Sequence, residues 1–260
     1  MDEGTAVPVT HRLRPMPTGV VTRRVSVFSL MFDPRNWPVW IVVLTCAAVF
    51  AGQQRGLVPL DTYAFSAQAL KDGRWWTPLT SIFMHGDGVN PFISYAHIGM
   101  NMWAYLSLAP LVAARFGKGW RGLVPFHIFY LLIGLAGVAV FWAFHRDSGV
   151  PLVGASGAIY GVYAAVMRLD IFADRVAPVF SRRTLEAVWF FIWSNAVVIV
   201  LFGGPYLLLQ VLSGQAPSLD VPIAWEAHLG GFVAGFVLIG LMKGQGWDRD
   251  WKAGVEVIRF

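Results

Sequence analysis

Charge is scarce in this sequence. Asp, Glu, Lys and Arg make up only 13% of 260 residues, about half the share of a soluble domain, which excludes an ordinary water-facing surface. Cysteine is nearly missing as well. The single Cys46 lies within an apolar stretch, so no disulfide can form inside the chain. There is no His-Glu-x-x-His among the six histidines, which removes the helical zinc-protease pattern. The first apolar block starts near residue 37 and is followed by no small-x-small cleavage pattern, so an ordinary signal peptide is not expected. Internal repeats and low-complexity tracts are also absent.

Apolar residues are abundant instead. They form 56% of the chain, with a mean hydropathy of +0.57, and fall in six blocks near 37–53, 95–114, 122–144, 154–168, 187–212 and 223–242. Blocks of this length predict an all-α polytopic membrane protein whose main partner is the lipid bilayer. The net charge of +5 does not predict a nucleic-acid partner, because the basic residues lie in the connections between blocks. The connection over 54–94 is long and carries Trp75, Trp76, Ile82, Phe83 and Met84 with few charges, a composition suited to the membrane interface. Residues 1–35, with Pro8, Pro15, Pro17 and five arginines, are expected to form a largely disordered cytoplasmic arm with a short interfacial helix around Val25–Phe32. Residues 36–243 form the membrane domain and 244–260 a cytoplasmic tail.

Lys and Arg also set the topology. Alternate connections and both ends hold sixteen of them; the other connections hold four. The positive-inside rule then places both termini in the cytoplasm and requires an even number of spans, which six helices satisfy. The expected location is the bacterial inner membrane.

Polar groups inside apolar blocks are costly and mark function. Three clusters qualify: His97 with Asn101, Gly154-Ala155-Ser156-Gly157, and Ala227-His228 with Gly231 and Gly235. They open the second, fourth and sixth blocks, which run in the same direction, so all three sit at the extracytoplasmic end. Ser156, His228 and Asn101 stand 12, 15 and 14 residues from the first basic residue at the cytoplasmic end. At about 1.5 Å per residue, all three lie roughly 10 Å below the outer surface of a core about 30 Å thick. A serine there needs a water-filled cavity to hydrolyse anything. A hydroxyl becomes a useful nucleophile when a base such as His228 takes its proton. Ser156 at a helix start aims free N–H groups at a developing oxyanion. His97 and Asn101, one turn apart on one face, can add further donors. Gly157 with Gly161 and Gly231 with Gly235 are Gly-x-x-x-Gly spacings that let two helices approach closely. Tyr160, one turn below Ser156, can hold the imidazole by stacking. Glu226, two residues before His228, is expected at the exposed outer rim, and Asn195 in the fifth block as an interhelical bond or cavity wall.

Together these motifs resemble the rhomboid family of intramembrane serine proteases, over roughly residues 37–242. Gly154-Ala155-Ser156-Gly157 is similar to its Gly-x-Ser-Gly motif, Ala227-His228-x-x-Gly231-x-x-x-Gly235 to its last-helix motif, and His97-x-x-x-Asn101 to its oxyanion pair. The resemblance implies a six-helix rhomboid-like bundle and a Ser156–His228 dyad without an acid. It implies no metal or other cofactor, and cleavage of transmembrane protein substrates near small residues. It also implies that Gly154 shapes the turn before the nucleophile, that Tyr160 stacks on His228, and that His85 supports the oxyanion region. Two departures stand out. Trp76-Thr77 occupies the place of a Trp-Arg pair, with Arg74 displaced, and the stretch from His85 to His97 is long. A transporter would carry polar residues through to the cytoplasmic half, which these blocks do not. An inactive rhomboid-like factor that only binds membrane proteins would typically lack Ser156 or His228.

Overall fold

The computed structural model describes residues 31–86, 91–117, 119–170, 175–214 and 223–244. The expected arm up to residue 30, most of its Val25–Phe32 helix, and the tail beyond residue 244 lie outside them. Backbone in lipid must satisfy its own hydrogen bonds, so apolar blocks become helices. The long ones are α1 (Trp37–Gln54), α5 (Pro91–Phe116), α6 (Trp120–Phe144), α7 (Ser156–Arg168), α8 (Arg182–Val198), α9 (Gly204–Leu212) and α10 (Trp225–Leu241). Three short helices, α2 (Leu60–Tyr63), α3 (Ala67–Lys71) and α4 (Thr77–Thr80), lie in the first connection. A two-residue hairpin, β1 (Leu169–Asp170) with β2 (Arg175–Val176), follows α7.

Three segments among the described residues are long and apolar enough to cross a membrane: Pro34–Gln54, Trp120–Phe144 and Arg182–Leu201. The first includes a 3-10 turn, Pro34–Asn36, ahead of the expected start at residue 37. α7 and α10 have only 13 and 17 residues, short of the roughly 20 needed to span alone. α7 can be short because it is enclosed. Gly157, Ala158, Gly161, Val162 and Ala165 are buried, and the non-helical chain just before it is held against protein at Leu152, which is buried and bridged to Phe65, a place where irregular backbone is tolerated. The fifth block starts at Arg182 rather than 187. Its first turn is polar, with Arg182 paired to Glu186 at 2.9 Å across an i,i+4 spacing, and hydropathy alone does not register such a turn. The same block is broken by a π segment over Ile199–Gly203, just before Pro205, which has no N–H to bond one turn back.

The first connection does more than rest at the interface. Trp75 and Trp76 are exposed, but Phe65, Ile82 and Met84 are buried in the core. The guanidinium of Arg74 donates to the Asp61 carbonyl and, at 2.6 Å, to Asp72, and Trp76 Nε1 donates to the Thr62 carbonyl at 3.1 Å. Here the displaced Arg74 ties the connection together. Phe65 and Leu152 form an antiparallel bridge, Gly154 N–H donates to the Ser81 carbonyl at 3.0 Å, and Lys71 pairs with Asp147 at 2.8 Å. The first and third connections therefore share one end of the bundle, as the charge pattern requires.

α7 and α10 meet without intervening side chains. A Cβ on Gly231 would overlap the Gly157 carbonyl oxygen, and one on Gly235 the backbone of Gly161. Reciprocally, a Cβ on Gly161 would stand 2.7 Å from the Gly231 oxygen and one on Gly157 3.1 Å from that of Ala227. The four glycines thus form a ladder of alternating backbone contacts. On its other flank α10 presses Gly230 to 2.5 Å from the Ala136 oxygen of α6 by the same measure. At the opposite end from Ser156, buried Arg168 donates to the carbonyls of Ala177 (2.8 and 3.1 Å) and Phe236 (2.6 Å), fastening α7 to α10 and the hairpin.

Candidate active site

Ser156 is the first residue of α7. Ala155 precedes it in near-helical conformation, and Gly154 before that has φ +125°, a backbone region closed to L side chains. The chain reaches Gly154 extended and can turn into the helix only with glycine there. The first in-helix donor is the Ile159 N–H, bonding the Ala155 carbonyl at 2.9 Å. The N–H groups of Ser156, Gly157 and Ala158 have no acceptor within the helix, which makes this end attractive to negative charge.

The Ser156 Oγ lies 2.9 Å from His228 Nε2. His228 belongs to the first turn of α10, held beside α7 by the glycine ladder. Tyr160 stacks on the imidazole, with ring centroids 4.3 Å apart and planes at 25°. The Tyr160 hydroxyl donates to Ser194 Oγ on α8 at 3.1 Å.

His97 projects from α5 toward the same spot. A Cβ placed on Gly154 would meet His97 Nε2 at 3.0 Å and Ser156 Oγ at 3.6 Å, so glycine also leaves room for both groups to converge. His97 Nδ1 accepts the Gly86 N–H at 3.2 Å. The neutral ring must then carry its proton on Nε2, the nitrogen facing the Ser156 side. His85, 1% exposed, packs edge-on against His97 with centroids 5.2 Å apart. Its backbone is clamped by Gln53, which accepts from the His85 N–H and donates to its carbonyl, both at 3.0 Å. Asn101 is buried one turn beyond His97 on α5.

One residue differs from expectation. Glu226 is buried, not exposed at the rim. Its carboxylate lies 3.2 Å from His145 Nε2. The helical offset from His228 does turn it away from the base, but that direction faces the segment after α6 rather than water. Asn195 makes an interhelical bond, one of the two roles expected of it, and its partner is His228 itself: Oδ1 lies 2.7 Å from Nδ1. The legible signal was a lone amide in an apolar block, but nothing in the sequence named its partner. No cluster of three or more His, Cys, Asp or Glu suited to a metal occurs among the described residues.

Apolar helices surround a part-buried serine–histidine contact. A family model described as Rhomboid domain matches residues 72–245, and the chain belongs to the rhomboid family of integral membrane proteins. It is also similar to Rhomboid protease GluP of Bacillus subtilis (strain 168), 27% identical over 192 residues, which are 73% of this chain and 31% of that protein. The chain thus spans about a third of that relative's length.

Proposed function

We propose that this protein is an intramembrane serine endopeptidase that cuts peptide bonds in or near transmembrane segments, with Ser156 as nucleophile and His228 as general base. The observation that carries the reading is the 2.9 Å contact between Ser156 Oγ and His228 Nε2 at a helix N-terminus. His228 takes the hydroxyl proton as Oγ attacks the carbonyl, then gives it to the leaving amine. Water repeats the cycle on the acyl-enzyme. The negative oxygen is stabilised by N–H groups at the start of α7, by His97 Nε2–H and by the Asn101 amide. A small cavity beside Ser156, lined by Ser81, Gly134, Gly137, Gly157 and Ala227, favours a small side chain at the cut. The alternative, a binding factor without catalysis, would have no use for the contact between hydroxyl and base.

The test is direct. The purified chain in liposomes should cleave a model transmembrane substrate and take up a fluorophosphonate probe at Ser156. A protein that inserts and folds but does neither is not a protease. The proposed orientation has six spans with both termini in the cytoplasm of a bacterial inner membrane. A reporter fused after Phe260 should be cytoplasmic, and a periplasmic signal would refute the arrangement.

His97→Ala and Asn101→Ala should each lower kcat with little change in KM, because their bonds form only to charge that develops during attack. Losing one donor typically costs on the order of a hundredfold to a thousandfold. The double variant should be worse than either and less than additive. An unchanged kcat in a stable Asn101→Ala protein would remove Asn101 from the site.

A further inference from the structure

We propose that Asn195 is a positioning residue that locks His228 in the Nδ1–H tautomer, so that the site works as Ser156–His228–Asn195 rather than as a pair. The inference rests on the serine-hydrolase reading above and adds a third member from α8.

The hydrogen bonds fix the assignment atom by atom. The Phe191 carbonyl can only accept, and Asn195 Nδ2 donates to it at 2.9 Å. That orientation leaves Oδ1 facing His228 Nδ1 at 2.7 Å. Oδ1 also can only accept, so Nδ1 must carry the proton. A neutral imidazole has one N–H, and the lone pair therefore sits on Nε2, aimed at Ser156 Oγ at 2.9 Å. The opposite tautomer would leave Nδ1 and Oδ1 as facing acceptors and Nε2 unable to take the serine proton. Asn195 and His228 are only 7% and 6% exposed, so water competes poorly for either end of the bond.

An amide suits this place better than the carboxylate of a soluble triad. It orients the ring and solvates the imidazolium formed during attack, yet keeps no charge in an apolar bundle at rest. Glu226, the acid nearest His228 in sequence, is engaged with His145. The same turn of α8 holds the imidazole a second way. Ser194 fixes the hydroxyl of Tyr160, whose ring covers the face of His228, and Phe191 packs edge-on to Tyr160 at 5.5 Å. Most of α8 otherwise faces outward, with Trp189, Phe190, Ile192 and Trp193 exposed. The 191–195 turn is where this helix enters the chemistry.

The experiment uses the full chain in liposomes with Asn195→Ala and Asn195→Asp. In Asn195→Ala, kcat and the rate of fluorophosphonate labelling at Ser156 should fall together by roughly 10- to 100-fold with KM unchanged, since an unheld ring samples the wrong tautomer. Asn195→Asp keeps an acceptor. It should recover most of the rate at alkaline pH, with the acid limb of the profile moved to higher pH because a carboxylate favours the protonated ring. A merely structural bond predicts otherwise: labelling per folded molecule unchanged in Asn195→Ala, and an unmoved acid limb in Asn195→Asp. Either outcome overturns the inference. Histidine 15N spectra, with the His228 signal identified by its loss in His228→Gln, provide a readout independent of catalysis. The wild type should show Nδ1–H and Asn195→Ala a mixture; Nε2–H in the wild type overturns the inference even if cleavage is normal. If the wild type neither cleaves nor labels but shows a tautomer that depends on Asn195, the protease reading fails and the positioning role stands.

Discussion

Ser156→Ala should lower kcat for a transmembrane substrate by at least about 10,000-fold and abolish fluorophosphonate labelling, and His228→Ala should do nearly the same. The two groups act as one unit. Without the base the hydroxyl keeps its proton, and without the hydroxyl the base has nothing to activate, so the double variant should be scarcely worse than either single one. Folding should survive. Ser156 contributes one small side chain at the start of α7, whose packing depends on the glycine ladder below it. His228→Ala leaves Tyr160 without its stacking partner and should cost more stability than Ser156→Ala. Thermal unfolding of the reconstituted variants separates lost chemistry from lost structure. Retention of even a tenth of the wild-type rate in purified Ser156→Ala would end the assignment.

The second large effect is expected at a residue with no chemistry. Gly231→Val should leave little folded protein, or a folded protein without activity. A Cβ at 231 would overlap the backbone oxygen of Gly157, which cannot swing aside as the tip of a side chain can. α7 and α10 must separate, and the 2.9 Å contact between Ser156 and His228, which spans the same two helices, opens with them. Overpacking a dense contact costs about 1–3 kcal/mol and occasionally more; valine against backbone belongs at the upper end. Gly235→Val should behave alike one turn deeper, where Gly161 is the neighbour. Gly99 provides the control. It is an exposed helical glycine with nothing within 4 Å of a Cβ, so Gly99→Ala should be close to neutral. Tm and cleavage rate decide the matter: a Gly231→Val protein as stable and active as Gly99→Ala would show that the two helices are not held as described.

These expectations draw unequally on the two sources of information. Polar residues are so few in the apolar blocks that each one is conspicuous. For that reason Ser156, His228, His97, Asn101 and the paired glycines could all be picked from the sequence, along with a shared end for the three clusters. The charge distribution over the connections predicts a direction for that end, which the reporter fusion after Phe260 tests. Hydropathy read less well where a helix begins on polar residues, as at Arg182, or where it is interrupted, as at Ile199–Gly203.

The sequence by itself determined the kind of solvent this chain folds in, the helical class that follows from it, and the identity of the rare polar groups, because composition and spacing are local properties. Only the tertiary structure decided which of those groups touch. Glu226 and His228 are two residues apart but face different neighbours, His145 and Ser156. Asn195 lies 33 residues before His228 and bonds it directly. Gly86 N–H sets the tautomer of His97 from across a connection. Each of these pairings depends on the rotation and depth of one helix against another, set by where glycines let backbones meet and where larger side chains hold them apart, and that geometry exists only once the helices have packed.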